Sequence, residues 1–162
     1  PKLGTAPRMT VAENMLLASK RGEKRHLMPR RLKQRMAEFT KLAAQMNNGL
    51  ENRMTTPTGA LSGGQRQALS FLMATLKRPD ILLLDEHTAA LDPHTARNLL
   101  HATNQRITED HLTALMITHH MEDALKYGNR LIVLKDGQIK ADYNAAEKAQ
   151  LTVDDLYAYF EM

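Results

Sequence analysis

Three groups of residues carry side chains that could bind and cleave a phosphate ester or anhydride. They are the run Ser62, Gly63, Gly64 and Gln65, the pair Asp85 and Glu86, and the single His119. The first group directly precedes a helical pattern, so a hydroxyl and glycine amides would converge at a helix N-terminus, where the dipole favours an anion. Glycine also lets the backbone approach a phosphate closely. The first group therefore predicts a phosphate-binding helix start.

The two acids end a run of four aliphatic residues, 81–84. A carboxylate there is costly to desolvate unless a cation or hydrogen bonds meet it. Asp85 is therefore predicted to bind Mg²⁺, which commonly takes one carboxylate plus phosphate oxygens and waters. Glu86 is predicted to accept a proton from an attacking water, and His119 to stabilise or sense the transferred phosphate. An alternative stays open, in which Asp85 and Glu86 only cap the following turn.

The usual triphosphate-binding loop, G-x-x-x-x-G-K-[ST], does not occur in the 162 residues. None of the eight glycines is followed by a lysine. The sequence thus contains one half of a phosphate site without the other. It also starts at Pro1 rather than at methionine, which we interpret as a sign of a processed product or a fragment.

Composition restricts the class of protein. A hydrophobic fraction of 43% and a charged fraction of 25% are typical of a globular domain, and no apolar run approaches the ~18 residues of a membrane span. The absence of cysteine excludes disulfides and thiolate metal sites, which agrees with a cytosolic setting. His87, His119 and His120 offer metal ligands, but the zinc spacing H-E-x-x-H is absent.

The net charge of +4 is concentrated between Lys20 and Arg35, where eight Lys or Arg residues face the single acid Glu23. Such a run is usually a solvated helix face. It could also contact lipid headgroups or an acidic partner. The segment has no aromatic residue for stacking on bases, so we do not expect nucleic-acid binding.

Two regions with different periodicity must position these groups. Residues 1–58 read as a small helical subdomain, with a T-x-x-E capping box at Thr10 and an apolar stripe in a helix after Pro29. That stripe comprises Leu32, Met36, Phe39, Ala43 and Met46. Residues 59–162 alternate helices with strands, and unbroken aliphatic runs predict strands buried on both faces. The fold class is therefore α/β, a mostly parallel sheet flanked by helices and preceded by a helical subdomain.

Caps, aliphatic runs and a turn dipeptide predict the individual helices and strands of residues 59–162. A helix is predicted over 65–77, and Asp92 with Pro93 predicts the start of another. Strands are predicted at 81–84 and 114–117, and 131–134 and 138–141 flank Asp136-Gly137, a hairpin-turn dipeptide. Catalytic groups of such sheets gather beyond the carboxyl ends of the strands, so Asp85, Glu86 and His119 are expected to share one crevice.

In order and spacing these motifs resemble the ATP-binding-cassette (ABC) transporter ATPases. The resembling residues are LSGGQ at 61–65, the aliphatic run ending in Asp85-Glu86, Ala90-Leu91-Asp92, and His119, and PRMTVAENMLL at 7–17 is similar to the segment after the family's glutamine loop. The resemblance implies a partial P-loop-NTPase-type fold. It implies ATP and Mg²⁺ as ligands, with Ser62, Gly63, Gly64, Gln65 and Asp92 binding nucleotide, Asp85 binding the metal, and Glu86 and His119 catalytic.

The resemblance also explains how the chain could contain a phosphate-binding helix start without a triphosphate-binding loop. In that family two ATPase subunits pair head to tail, and the signature of one faces the P-loop of the other. The P-loop, the adenine-stacking aromatic and the glutamine loop would precede Pro1, so the chain by itself is expected to be inactive. The sequence T-V-A-E-N and the D-G hairpin resemble the corresponding segments of importer subunits that power small-molecule uptake.

As partners the resemblance implies a second ATPase subunit and transmembrane permease subunits, and as location the cytoplasmic face of the cell membrane. The sequence departs from the family at His87 and His120, where proline and an acid or amide are commoner, and neither change removes a catalytic group. Two other functions remain. One is a non-catalytic docking module, and the other is a DNA-repair or chromosome-maintenance ATPase, whose long coiled-coil heptads are absent here.

Overall fold

The structure is a computed structural model that describes residues 4–23, 32–89 and 91–160. Two short 3₁₀ turns, Leu50–Arg53 and Thr58–Ala60, accompany the helices and strands of these ranges. In chain order the described elements are α1 (Val11–Ser19), α2 (Leu32–Ala44), α3 (Gly63–Thr75), β1 (Leu82–Asp85), α4 (Pro93–Glu109), β2 (Ala114–Ile117), α5 (Met121–Lys126), β3 (Leu131–Lys135), β4 (Gln138–Tyr143), α6 (Ala145–Lys148) and α7 (Val153–Tyr157).

Helix α1 begins at the predicted capping box. The Thr10 hydroxyl accepts the amide of Glu13 at 3.2 Å, and the Glu13 carboxylate accepts the amide of Thr10 at 2.9 Å. The fully buried Asn14 donates its amide to the carbonyls of Ala6 and Met9, each at 3.2 Å. These bonds fasten the preceding segment to α1, which packs against both α2 and α3.

Helix α2 begins at Leu32, and Pro29 lies outside the described residues. The end of the predicted apolar stripe is buried, with Phe39, Ala43 and Met46 all close to complete burial, whereas its start is half-buried. The helix ends at Ala44, so Met46 anchors the following turn rather than the helix itself. In that turn Gly49 takes the left-handed conformation with φ of 76°.

The fold class is confirmed. Strands β1 and β2, which precede and follow α4 in the chain, form a parallel pair. Next to this pair, the amide of Leu82 donates to the carbonyl of Thr113 at 2.9 Å. The prediction that the first strand is buried on both faces is wrong for the described residues. Leu82 and Leu84 are buried, but Ile81 is 54% and Leu83 is 66% exposed. Strand β2 is more exposed still, because Leu115 and Ile117 are both about half exposed and only Met116 is half-buried. Within the described residues, only the Leu82 and Leu84 row of this sheet is covered.

The chain divides into two compact units, residues 1–115 and 116–162. The functional division predicted at 58/59 stays a prediction. No helix in the described ranges has the length and apolar character needed to cross a bilayer.

The second unit is built on the predicted hairpin. Strands β3 and β4 are antiparallel, and both turn residues, Asp136 and Gly137, have positive φ, as a two-residue turn of type I′ requires. Strand β4 runs to Tyr143, two residues beyond its predicted end. The buried Lys148 ammonium donates to the carbonyls of Tyr127 and Gly128 after α5, and burial lowers the pKa of Lys148. Lys148 thus satisfies the carbonyl of Tyr127, the C-terminal cap residue of α5, and that of the next residue, Gly128.

Candidate functional site

The start of α3 has the geometry of an anion-binding helix terminus. The hydroxyl of Ser62 accepts the amide of Gln65, and the Gln65 side-chain oxygen accepts the amide of Ser62, both at 3.2 Å. This capping box starts the helix at Gly63, two residues before the predicted start. The amides of Gly63 and Gly64 occupy the first two helical positions, where no intrahelical acceptor exists. Two backbone donors and the exposed Ser62 hydroxyl therefore lie together at the positive end of the helix dipole.

The two glycines differ in what surrounds them. A Cβ atom built on Gly64 would lie 2.4 Å from Cγ2 of Thr95, far inside van der Waals contact. A Cβ atom on Gly63 would lie 3.6 Å from Cδ2 of Leu91, an ordinary contact. The close approach at Gly64 is therefore to the first turn of α4. The predicted approach to a phosphate stays a prediction for both glycines.

Helix α4 starts as predicted, with Asp92 as its cap and Pro93 in its first position. The Asp92 carboxylate accepts the Thr95 amide at 3.0 Å. Hydrogen bonds from the Thr95 side chain and backbone lower the pKa of Asp92, so the exposed cap is ionised at neutral pH. The capped first turn holds Thr95 against the start of α3, and Ala90 lies outside the described residues.

The close approach of Thr95 to Gly64 leads to a prediction about the free energy of unfolding. Gly64→Ala is expected to destabilise the chain by about 1–3 kcal/mol, because the new methyl must displace a β-branched side chain with little rotamer freedom. Gly63→Ala is the matched control and is expected to change stability by less than about 1 kcal/mol. Urea unfolding followed by circular dichroism gives both values.

A second variant tests the cause. Thr95→Ser removes the Cγ2 methyl and keeps the hydroxyl beside Asp92, so in a Thr95→Ser background the cost of Gly64→Ala should shrink to that of Gly63→Ala. Equal losses for the two alanine variants in the natural background would show that the 2.4 Å contact does not govern this position.

The acidic pair lies at the carboxyl end of β1, as predicted. Asp85 is the last residue of the strand, and both carboxylates are exposed. Glu86 has φ of 42°, in the left-handed region that residues other than glycine seldom adopt. Such a conformation costs on the order of 1–3 kcal/mol and is concentrated at functional sites. Backbone strain at Glu86 supports a role beyond capping the turn, in which its carbonyl accepts the Ala89 amide.

His119 lies in the second unit, two residues after the end of β2. Its exposed ring lies with its centroid 4.4 Å from that of His120, and the His120 amide donates to the Thr118 hydroxyl at 3.1 Å. The predicted meeting of His119 with the acidic pair stays a prediction. Within the described ranges, no three His, Asp or Glu side chains form a preformed metal cluster. A Mg²⁺ ion at the exposed Asp85 would thus take its other ligands from phosphate and water.

Sequence reasoning missed three residues that contact the start of α3. Leu91 and Thr95 lie against the two glycines, and Asn48 hydrogen-bonds to Gly64 and Gln65. The only local signal for Asn48 is the turn-forming Asn47-Asn48-Gly49 run, which predicts a turn and says nothing about what the turn contacts.

Comparisons with known proteins show what this chain is similar to. The ABC transporter family model matches residues 2–89. The tyrosine transport ATP-binding protein of Clostridioides difficile is 41% identical over 161 residues, which are 99% of this chain and 64% of that protein. The thiamine import ATP-binding protein ThiQ of Escherichia coli is 34% identical over 131 residues, which are 81% of this chain and 53% of that protein.

A solved structure shows the same architecture. The dimeric structure of a post-hydrolysis state of the ATP-binding cassette MJ0796, bound to ADP and Pi, matches with a TM-score of 0.71 and 25% sequence identity. The match covers 89% of this chain and 60% of that one. The chain thus spans about half to two thirds of the length of the proteins that it resembles.

Proposed function

Because the chain belongs to the ABC transporter family, we propose that it is the signature-bearing part of an ATPase subunit that powers the import of a small molecule. The observation that carries the proposal is the start of α3, where the Ser62 hydroxyl and the amides of Gly63 and Gly64 converge. A relative named as a thiamine import ATP-binding protein supports the direction of transport, and one named as a tyrosine transport ATP-binding protein supports a small-molecule cargo.

The proposed division of labour follows from the position of each residue. Ser62, Gly63, Gly64 and Gln65 bind an ATP held by the second ATPase subunit, with the first three at its γ-phosphate. Gln65 also keeps the helix start in place through its capping bond. Asp85 holds Mg²⁺, Glu86 accepts the proton of the attacking water, and His119 contacts the transferred phosphate. Asp92 fixes the loop that meets the second subunit.

The transmembrane permease subunits are the proposed partner of the helical region. Of the basic segment, residues 24–31 lie outside the described residues. Arg35 is paired with Glu38 at 2.7 Å and lies over the Phe39 ring, and this pairing lowers the pKa of Glu38. Part of the segment's charge is therefore neutralised within α2, and Lys20, Arg21 and Lys33 are better placed to meet acidic permease loops or headgroups. The resulting location is peripheral, on the cytoplasmic face of the membrane.

The first test compares two proteins. We define the cassette chimera as the Clostridioides difficile relative in which this chain replaces the 161 matched residues. The isolated chain is expected to show no MgATP turnover, because a triphosphate without the P-loop lysine and amides loses most of its charge neutralisation and positioning. The chimera, whose retained part is expected to supply the P-loop, should release phosphate from ATP.

Isothermal titration with MgATP and a phosphate-release assay provide the measurements. A micromolar dissociation constant together with turnover by the isolated chain would contradict the proposed dependence on a P-loop. A folded chimera that binds ATP but neither dimerises nor hydrolyses it would contradict the assignment of the α3 start as the trans-acting signature. Circular dichroism of the chimera separates either outcome from misfolding.

A further inference from the structure

The turn between α2 and the 3₁₀ turn at 50–53 makes two hydrogen bonds to the start of α3. The side-chain nitrogen of Asn48 donates to the carbonyl of Gly64 at 3.3 Å. In the other direction, the side-chain nitrogen of Gln65 donates to the carbonyl of Asn48 at 3.2 Å. Two reciprocal bonds between the same two segments fix both their distance and their relative orientation.

The turn is itself held rigidly. The side-chain oxygen of Asn48 accepts the amide of Leu50 at 3.2 Å, a local bond that orders the turn. Met46 and Leu50, on either side, are buried in the core. Gly49 has φ of 76°, and a Cβ atom on it would lie 3.9 Å from the Gln65 side-chain nitrogen. Every polar group of the Asn48 side chain is therefore engaged, and the turn cannot swing without breaking the bonds to α3.

The start of α3 also has neighbours at the start of α4, where Thr95 lies in the first turn close to Gly64, and Leu91 lies just before the α4 cap, close to Gly63. Both α4 and the Asn48 turn therefore contact the first residues of α3, while Ser62 and Gly63 stay exposed. Gln65 has a double use, since its oxygen caps Ser62 while its nitrogen reaches Asn48. A displacement of the Asn48 turn would move Gln65, and with it the Ser62 hydroxyl and the two glycine amides.

We propose that Asn48 is a positioning residue, which sets the orientation of the phosphate-facing start of α3 through its paired bonds to Gly64 and Gln65. The inference rests on the proposed function of Ser62, Gly63 and Gly64 as the phosphate-binding group. Asn48 touches no substrate. It transmits the position of the α2 end to the hydroxyl and amides that meet the phosphate.

Two isosteric variants remove the paired bonds one at a time in the cassette chimera. Asn48→Asp loses the donor to Gly64 but keeps the oxygen that accepts the Leu50 amide. Gln65→Glu loses the donor to Asn48 but keeps the oxygen that caps Ser62. Matched controls with the same charge change are Asn52→Asp, on the exposed neighbouring turn, and Gln67→Glu, two residues further along α3.

The measurements separate positioning from folding. Each variant is expected to raise the ATP concentration needed for half-maximal dimerisation at least 5-fold relative to its control. ATP affinity of the monomer, measured at protein concentrations too low for dimerisation, should stay within 2-fold, because the monomer binds ATP through its own P-loop. The thermal midpoints should match those of the controls.

Two results would overturn the inference. One is a dimerisation midpoint equal to that of the controls, and the other is an equal loss of monomer affinity, dimerisation and thermal stability. Ser62→Arg in the same chimera keeps the proposed function distinguishable. If Ser62→Arg blocks dimerisation while Asn48→Asp matches Asn52→Asp, the phosphate role stands and the positioning role of Asn48 falls.

Discussion

In the cassette chimera, Glu86→Gln is expected to lower the rate of ATP hydrolysis by about 10²-fold or more, the usual scale for the loss of a general base. Glutamine keeps the size and hydrogen-bonding reach of the side chain but cannot take a proton from water. It also occupies the left-handed backbone position at a cost similar to that of glutamate, so strain at Glu86 is matched between the two proteins. Steady-state phosphate release gives the rate.

Glu86→Gln is expected to lower the rate of hydrolysis without weakening ATP binding. ATP-driven dimerisation, followed by light scattering, should persist in Glu86→Gln, because the variant leaves the proposed phosphate contacts of α3 and the retained P-loop unchanged. Asp85→Asn is the neighbouring comparison and should instead raise the Mg²⁺ concentration needed for half-maximal rate. Hydrolysis by Glu86→Gln at a near-natural rate would show that Glu86 is not the base, and the open alternative of a capping role would then stand.

Ser62→Arg is expected to abolish both turnover and ATP-driven dimerisation of the cassette chimera. The Ser62 hydroxyl is exposed at the N-terminus of α3, next to the two glycine amides. A guanidinium there would occupy the volume proposed for the γ-phosphate and would lose the capping bond to the Gln65 amide. Ser70→Arg, within the same helix, is the control for the effect of an added arginine on α3.

Mixing tests whether Ser62 acts on the partner's nucleotide. A chimera with its P-loop lysine changed to alanine has an intact signature, and the Ser62→Arg chimera has an intact P-loop. Each homodimer should be inactive, whereas the mixed dimer contains one composite site with both halves intact. Recovery of dimerisation or turnover on mixing is the expected result. If Ser62→Arg alone left turnover and dimerisation unchanged, the signature interpretation of residues 61–65 would be wrong.

Structural features that depend only on residues close together in the chain could be predicted from sequence alone. The capping box of Thr10 and Glu13, the Asp92 cap and the Asp136-Gly137 turn all occur where they were predicted. Each depends on bonds or backbone angles within a four-residue span, which the identity of those residues determines. The strand that ends at Asp85 was also predicted correctly as a strand, since an unbroken aliphatic run favours that structure.

The solvent exposure of that strand could not be predicted from its sequence. An aliphatic run shows that both faces can be buried, but burial depends on which elements pack there. In the described residues only one row of the strand, Leu82 and Leu84, is covered, while Leu83 lies in solvent. The helical start at Gly63, in contrast, was predicted two residues late although its signal is local, since the capping box between Ser62 and Gln65 spans only four residues.

Only the tertiary structure decided what surrounds the proposed phosphate-binding group. Sequence supplied Ser62, two glycines and Gln65, together with the chemistry that a hydroxyl and free amides can perform at a helix start. It did not show that Thr95 lies within 2.4 Å of the position a Cβ atom would take on Gly64, or that Asn48 hydrogen-bonds to Gln65 from 17 positions away. Those contacts join segments brought together by the packing of α2, α3 and α4, and no local propensity encodes which side chains meet across such an interface.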